Sequence, residues 1–145
     1  MRLEVITTER RVLDEQVEMI IAPGASGVLG ILPNHAPLMS ALKPGALEVR
    51  VAGREPAFIA IGGGFIEVQP DHVVVLADAA EHAHEIDLER AREARRAAHE
   101  HMERERTGEP VALDAARHAL MHSEARLHAA ETHHRRSASG APPRA

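Results

Sequence analysis

The hydrophobic period of this chain changes once, at Ile86, and that change limits the folds open to it. Upstream, apolar residues alternate. Val17, Met19 and Ile21 are separated by Glu18 and Ile20, and Leu47, Val49 and Val51 by Glu48 and Arg50. Ala57, Ile59 and Ile61 likewise fall on one face. A period of two sends one side chain to the core and the next to solvent, as in a half-buried strand. The run HVVVLAD at 72–78 is apolar at both parities, which predicts a strand in the interior of two packed layers. Pro23-Gly24, Pro44-Gly45, Gly53, Gly62-Gly63-Gly64 and Pro70-Asp71 punctuate these runs. Short strands with regular turn signals indicate an antiparallel sandwich or barrel over residues 1–85.

From Ile86 the spacing becomes helical. Leu88, Ala91, Ala94, Ala98 and Met102 form one stripe, with Asp87 as N-cap and Glu89 in the first turn, where the helix dipole favours a carboxylate. TGEP at 107–110 ends this helix. A second stripe follows in Leu113, Ala116, Leu120, Leu127 and Ala130, interrupted by Ser123. So short a connection predicts an antiparallel two-helix hairpin over 86–136. The tail 137–145, SASGAPPRA, has too little apolar surface to fold and is expected to be disordered.

Composition removes several function classes. The 145 residues suit one ordinary domain or two small ones. With no cysteine there is no disulfide framework and no thiolate zinc site, which fits a reducing compartment. Aromatic content is 1%, with Phe58 and Phe65 alone, too little for a base-stacking platform. Residues 1–85 carry six basic and twelve acidic groups, and residues 86–145 eleven and ten. The acidic first part argues against binding duplex nucleic acid. Met1–Ile6 lacks the features of a signal peptide, and no apolar stretch approaches the roughly 20 residues that span a bilayer.

The segment GILPNHAPL at 30–38 sets His35 between Pro33 and Pro37. Each proline fixes its own φ and extends the residue before it, so the loop is stiff. No carboxylate within it can orient the imidazole, so His35 reads as a packed or hydrogen-bonded loop residue, not an acid–base catalyst. Gly62-Gly63-Gly64 lacks the lysine and hydroxyl of a phosphate loop and is followed by strand signals. It reads as a bulge or tight strand connection. His118 and His122 have a metal-compatible i,i+4 spacing but no evident third ligand, and no metal site is expected. The remaining histidines, among them His82, His84 and His133, lie near polar stretches and read as solvated. Arg92, Arg95 and Arg96 concentrate positive charge on one flank of the first helix. Asp114 with Arg117 reads as an i,i+3 surface ion pair.

Three stretches, GVLGILPNHAPLMSALKPGALEV (27–49), IGGGFIEVQPDHVVVLADAAE (61–81) and IDLERA (86–91), together resemble the epsilon subunit of F-type ATP synthase. With the order of the two regions, the resemblance covers about residues 1–135. It implies a ten-stranded β-sandwich followed by a two-helix hairpin. It also implies a non-catalytic central-stalk subunit that couples the gamma subunit to the c ring and inhibits ATP hydrolysis through a mobile hairpin. On that basis Gly30, Pro33, His35, Ala36, Pro37 and Leu38 are expected to face the gamma subunit and c ring. The hairpin, when extended, is expected to meet the alpha/beta catalytic head. IDLERA resembles the nucleotide motif of those members that bind ATP, which makes Ile86, Asp87, Arg90 and Ala91 candidate residues for a regulatory ATP; no cofactor is required. The implied location is the cytoplasmic face of the bacterial plasma membrane, touched only through the complex. A free-standing ATP-sensing module of the same fold is the alternative.

Overall fold

The computed structural model describes residues 1–140. Eight strands form one sheet: β1 (Arg2–Ile6), β2 (Arg11–Gln16), β3 (Met19–Gly24), β4 (Gly27–Ile31), β5 (Leu38–Arg50), β6 (Ala57–Val68), β7 (His72–Ala77) and β8 (Ala80–His82). A short 3-10 turn, Ala83–Glu85, leads to α1 (Leu88–Glu105) and α2 (Pro110–Ser139). The strand order is β2-β1-β7-β6-β5-β3-β4, with β8 paired to β6. Side chains from β1 through β7 meet in a single apolar core, so the sheet is folded over as a sandwich.

The expected all-antiparallel sheet is mixed, because β1 pairs with β7 in parallel. The expected ten strands appear as eight. The ladder between β5 and β6 omits a pairing of Lys43 with Gly63, and counting these two long strands as two segments each recovers ten. The interruption is built from glycine. Gly63 has φ 97° and Gly64 φ 137°, backbone that L side chains rarely adopt, so the triplet is the strand bend read from the sequence. Beyond it, β6 changes partner, from β8 at residues 59–61 to β7 at residues 64–68.

Leu47, Val49, Ile59 and Ile61 enter the core as their alternation predicts. Two strands depart from expectation. In β3 the inward residues are Ile20 and Ala22, with Met19 and Ile21 half-buried on the other face. Four consecutive apolar residues carry no phase of their own, and pairing of Ile20 with Val49 and with Ile31 sets it. In β7, Val73, Val75 and Ala77 are buried, but Leu76 is 55% exposed, so only one face of that strand is covered.

In α1 the Asp87 Oδ1 accepts a hydrogen bond from the Arg90 backbone N–H at 2.9 Å, the cap expected at that position. Pro110 occupies the first turn of α2, where its missing N–H costs nothing. That helix runs past the expected boundary at 136 to Ser139 and closes on Gly140 in the left-handed conformation. Residues 137–139 of the expected tail are therefore helical, and 141–145 lie outside the described residues.

α2 buries two faces. Ala116, Leu120, Leu127 and Ala130 continue the stripe read from the sequence, while Ala125 and Ala129 lie off it. A second apolar cluster joins Phe58 and Ala60 of β6, Ala83, Ile86, Ala91 of α1, and Leu127, Ala129 and Ala130 of α2. The outer face of β6 is thus where the hairpin docks on the sandwich.

Candidate functional site

The stiff segment forms the connection between β4 and β5. Gly30 is the penultimate residue of β4, Leu38 opens β5, and Pro33, Ala36 and Pro37 are exposed between them. Asn34 takes φ 67°, and its N–H donates to the Pro70 carbonyl at 2.8 Å, which anchors the loop to the β6–β7 turn. The His35 N–H donates to the Leu32 carbonyl at 3.2 Å, and its Nδ1 donates to the Ala36 carbonyl at 2.7 Å. With its ring held by the loop's own backbone, His35 shapes this surface. The geometry fits the structural role read from the sequence.

Beside this loop the sandwich carries an apolar surface that alternation alone did not reveal. Cross-strand register aligns Ala41, Phe65, Leu76 and Ile6 across β5, β6, β7 and β1. Met39 lies on the same outward face, one pair away opposite Glu67. Met39 is 70% exposed, Phe65 58% and Leu76 55%. Contiguous exposed apolar side chains on a well-packed domain mark a surface that meets a partner.

The row is bordered by a charged network. Glu4 is 7% exposed, receives the His72 Nε2–H at 2.7 Å, and lies 3.4 and 3.3 Å from Arg2 and Arg11. Arg2 makes two hydrogen bonds to Asp14, at 2.9 and 3.0 Å, which hold that carboxyl below the usual range. These groups are satisfied within the sheet, so the apolar row beside them is the part left uncovered.

The four residues of the candidate nucleotide motif come together but divide by role. Ile86 and Ala91 are buried in the cluster beneath the hairpin, Asp87 caps α1, and Arg90 is exposed. Nearby, Arg92, Arg95, Arg96 and His99 of α1 and Leu127 and Glu131 of α2 line a groove of about 390 Å³. Arg92 pairs with Glu89 at 2.6 Å and reaches Glu131 at 4.0 Å. A groove with three guanidinium groups and one carboxylate on its wall suits an anion. Arg126, which the sequence reading did not single out, ties α2 to β8 through Glu81 at 2.9 Å. Asp114 and Arg117 form the expected exposed i,i+3 pair at 3.7 Å.

Three histidines read as solvated are exposed (His84) or half-buried (His82 and His133), but the sequence did not reveal that they meet where α2 lies on the sandwich. The rings of His82 and His84 stack with centroids 5.1 Å apart, and His133 is 6.2 Å from His84. Sequence distance hid this: His133 comes from the far end of α2, and only docking brings it to His84. Among the described residues no group of three potential ligands is placed to hold a metal ion.

Comparison with known proteins follows this architecture. The family described as ATP synthase, delta/epsilon chain, beta-sandwich domain matches residues 1–83. The ATP synthase epsilon chain of Moorella thermoacetica is 47% identical over 132 residues, covering 90% of this chain and 96% of that one. The epsilon chain of Laribacter hongkongensis is 41% identical over 137 residues, 94% of this chain and 96% of its own length. In three dimensions, a chain in the Euglena gracilis mitochondrial ATP synthase assembly of OSCP, F1 and c ring is similar, with a TM-score of 0.75 and 27% identity over 89% of this chain and 79% of that one. A sandwich matched over its whole length, and bacterial relatives that match through the hairpin, show that this chain belongs to the ATP synthase epsilon chain family.

Proposed function

We propose that this chain is a non-catalytic central-stalk subunit that joins the gamma subunit to the c ring and restrains ATP hydrolysis through its hairpin. One observation carries the docking half: the exposed row of Ala41, Phe65 and Leu76, continued by half-buried Ile6, beside a stiff, backbone-anchored loop. A preformed surface binds with little ordering cost, as a coupling element that must transmit torque requires. The similar chain in the Euglena assembly of F1 and c ring supports these partners. No helix among the described residues is long and apolar enough to cross a membrane, and in this reading the chain reaches the cytoplasmic face of the membrane through the complex.

The regulatory half rests on an arm that can leave its seat. The hairpin is held to the sandwich by Phe58, Leu127 and a set of alanines, so undocking exposes modest apolar area. A freed α2 of 30 residues spans about 45 Å at the usual helical rise, enough to reach along a stalk to the alpha/beta head. Regulatory ATP, seated by Asp87 and Arg90 with the arginine groove nearby, would favour the docked arm. A reconstituted complex tests both halves. Phe65→Glu should fold but fail to co-purify with gamma, whereas truncation after Glu85 should still assemble and should raise the hydrolysis rate. Retained assembly in the first case removes the docking reading, and an unchanged rate in an assembled truncation removes the inhibitory one.

A further inference from the structure

We propose that the seam between α2 and the sandwich is a proton-sensitive latch, in which neutral histidines let the hairpin dock and charged ones release it. This rests on the hairpin being a detachable arm. The chain has 11 histidines, and four of them occupy this one seam.

At the C-terminal end of α2, His133 and Arg136 face the sandwich. His133 lies 6.2 Å from His84, which stacks on His82, and the Arg136 guanidinium sits 5.4 Å above the Phe58 ring. His82 Nε2 donates to the Val12 carbonyl at 3.0 Å. A cleft of about 360 Å³ lined by Glu55, Phe58, His84, His133 and Arg136 keeps the cluster in reach of water. Three imidazoles and a guanidinium, all cationic or able to become so, are thus gathered at this end of the seam.

Three turns earlier, His122 lies against β6. Its ring packs over Gly62, with Cδ2 and Nε2 3.4 Å from where a Cβ on that glycine would stand and Ala79 alongside. Burial first, then Arg126 and His118, push this imidazole below its ordinary value, with Glu81 opposing. The hollow it lines also contains Glu9 and Arg10 from the β1–β2 turn, Asp78, Glu81 and Glu85. Glu81 is engaged by Arg126 at 2.9 Å, and Glu85 lies 3.8 Å from Arg10. Among the described residues the one histidine–carboxylate pair is His72 with Glu4, on the opposite side of the sandwich. No seam histidine has such a partner.

The sign follows from His122. A group whose docked value is depressed binds its proton more readily when undocked, so docking is strongest above the ordinary histidine value of about 6.5 and is lost as pH falls below it. Each proton that the docked state excludes changes the docking equilibrium by about tenfold per pH unit in that range. Acidification of the compartment would thereby free the arm.

The absence of cysteine allows a clean test on the full chain. Ala57→Cys and Ser137→Cys, on opposite walls of the cleft, would carry pyrene labels that form an excimer only when the arm is docked. Between pH 8 and 5.5 the excimer-to-monomer ratio should fall at least about threefold, with the strand circular dichroism unchanged. Adding His84→Gln, His122→Gln and His133→Gln should flatten that response. A flat ratio without those changes, an equal fall with them, or loss of strand signal in step with the ratio would each overturn the latch. Leu127→Ala separates this from the arm reading: it should lower the ratio at pH 8 without touching a histidine. If it does while pH has no effect, the latch alone fails; if neither moves the ratio, the arm reading fails with it.

Discussion

The two regions of this molecule are stabilised by different side chains. Every one of the largest fully buried side chains belongs to the sandwich, among them Leu3, Ile20, Leu47, Ile59 and Ile66. The hairpin buries Ala91, Ala116, Ala125, Ala129 and Ala130, with only Leu120 and Leu127 as large, fully engaged groups. A buried methyl contributes about 0.8 kcal/mol and a buried leucine side chain about 1.5–3 kcal/mol. Burial per residue therefore contributes more in the sandwich than in the hairpin, the balance that the proposed detachable arm requires. Their electrostatics differ in the same sense. In the sandwich, Glu4 and Asp14 pair with Arg2, Arg11 and His72, whereas no seam histidine beneath α2 is ion-paired with the carboxylates that share its clefts.

Core truncation should separate the regions most strongly. Leu47→Ala removes a fully buried side chain and should cost about 2–5 kcal/mol, lowering the sandwich melting temperature by more than about 10 °C. Calorimetry checks this, and a shift of a degree or two would mean that the core is looser than its burial indicates.

A smaller, local effect is expected at the seam. Leu127→Ala should weaken docking of the arm by about 2–3 kcal/mol and leave the sandwich transition in place. Amide hydrogen exchange across α2 and β6 reads the two regions separately. If strands and helices lose protection together, they form one cooperative unit and the contrast drawn above is wrong.

The smallest effect distinguishes a cap from a nucleotide site. Asp87→Ala should cost about 1 kcal/mol of α1 stability through the lost bond to the Arg90 N–H. Arg90→Ala leaves that cap intact, because the donor is backbone. If ATP seats here, it should raise the hairpin transition in the unmodified chain, by about 2.7 kcal/mol of stabilisation at a hundredfold excess over Kd, and not in Arg90→Ala. An identical rise in both would remove Arg90 from the site.

What could be read from the chain, and what could not, divides along one physical line. Local pattern reports which residues share a face, where an element begins and where backbone must bend. Asp87 as cap, the glycine triplet as strand bend, the stiff loop around His35 and the change of architecture at Ile86 all belong to this class, because their causes lie within a few residues. Tertiary structure decided which face is covered. Ile20 and Ala22 point inward because of the strands they pair with, Leu76 and Phe65 stay exposed because none of the described residues covers β6 and β7 on that side, and Ala129 is buried because Phe58 and Ala60 of β6 lie beneath it. The meeting of His84 with His133 depends wholly on docking. Periodicity is a property of the backbone's own repeat; burial and proximity depend on contacts between residues far apart in the chain, which no local spacing encodes.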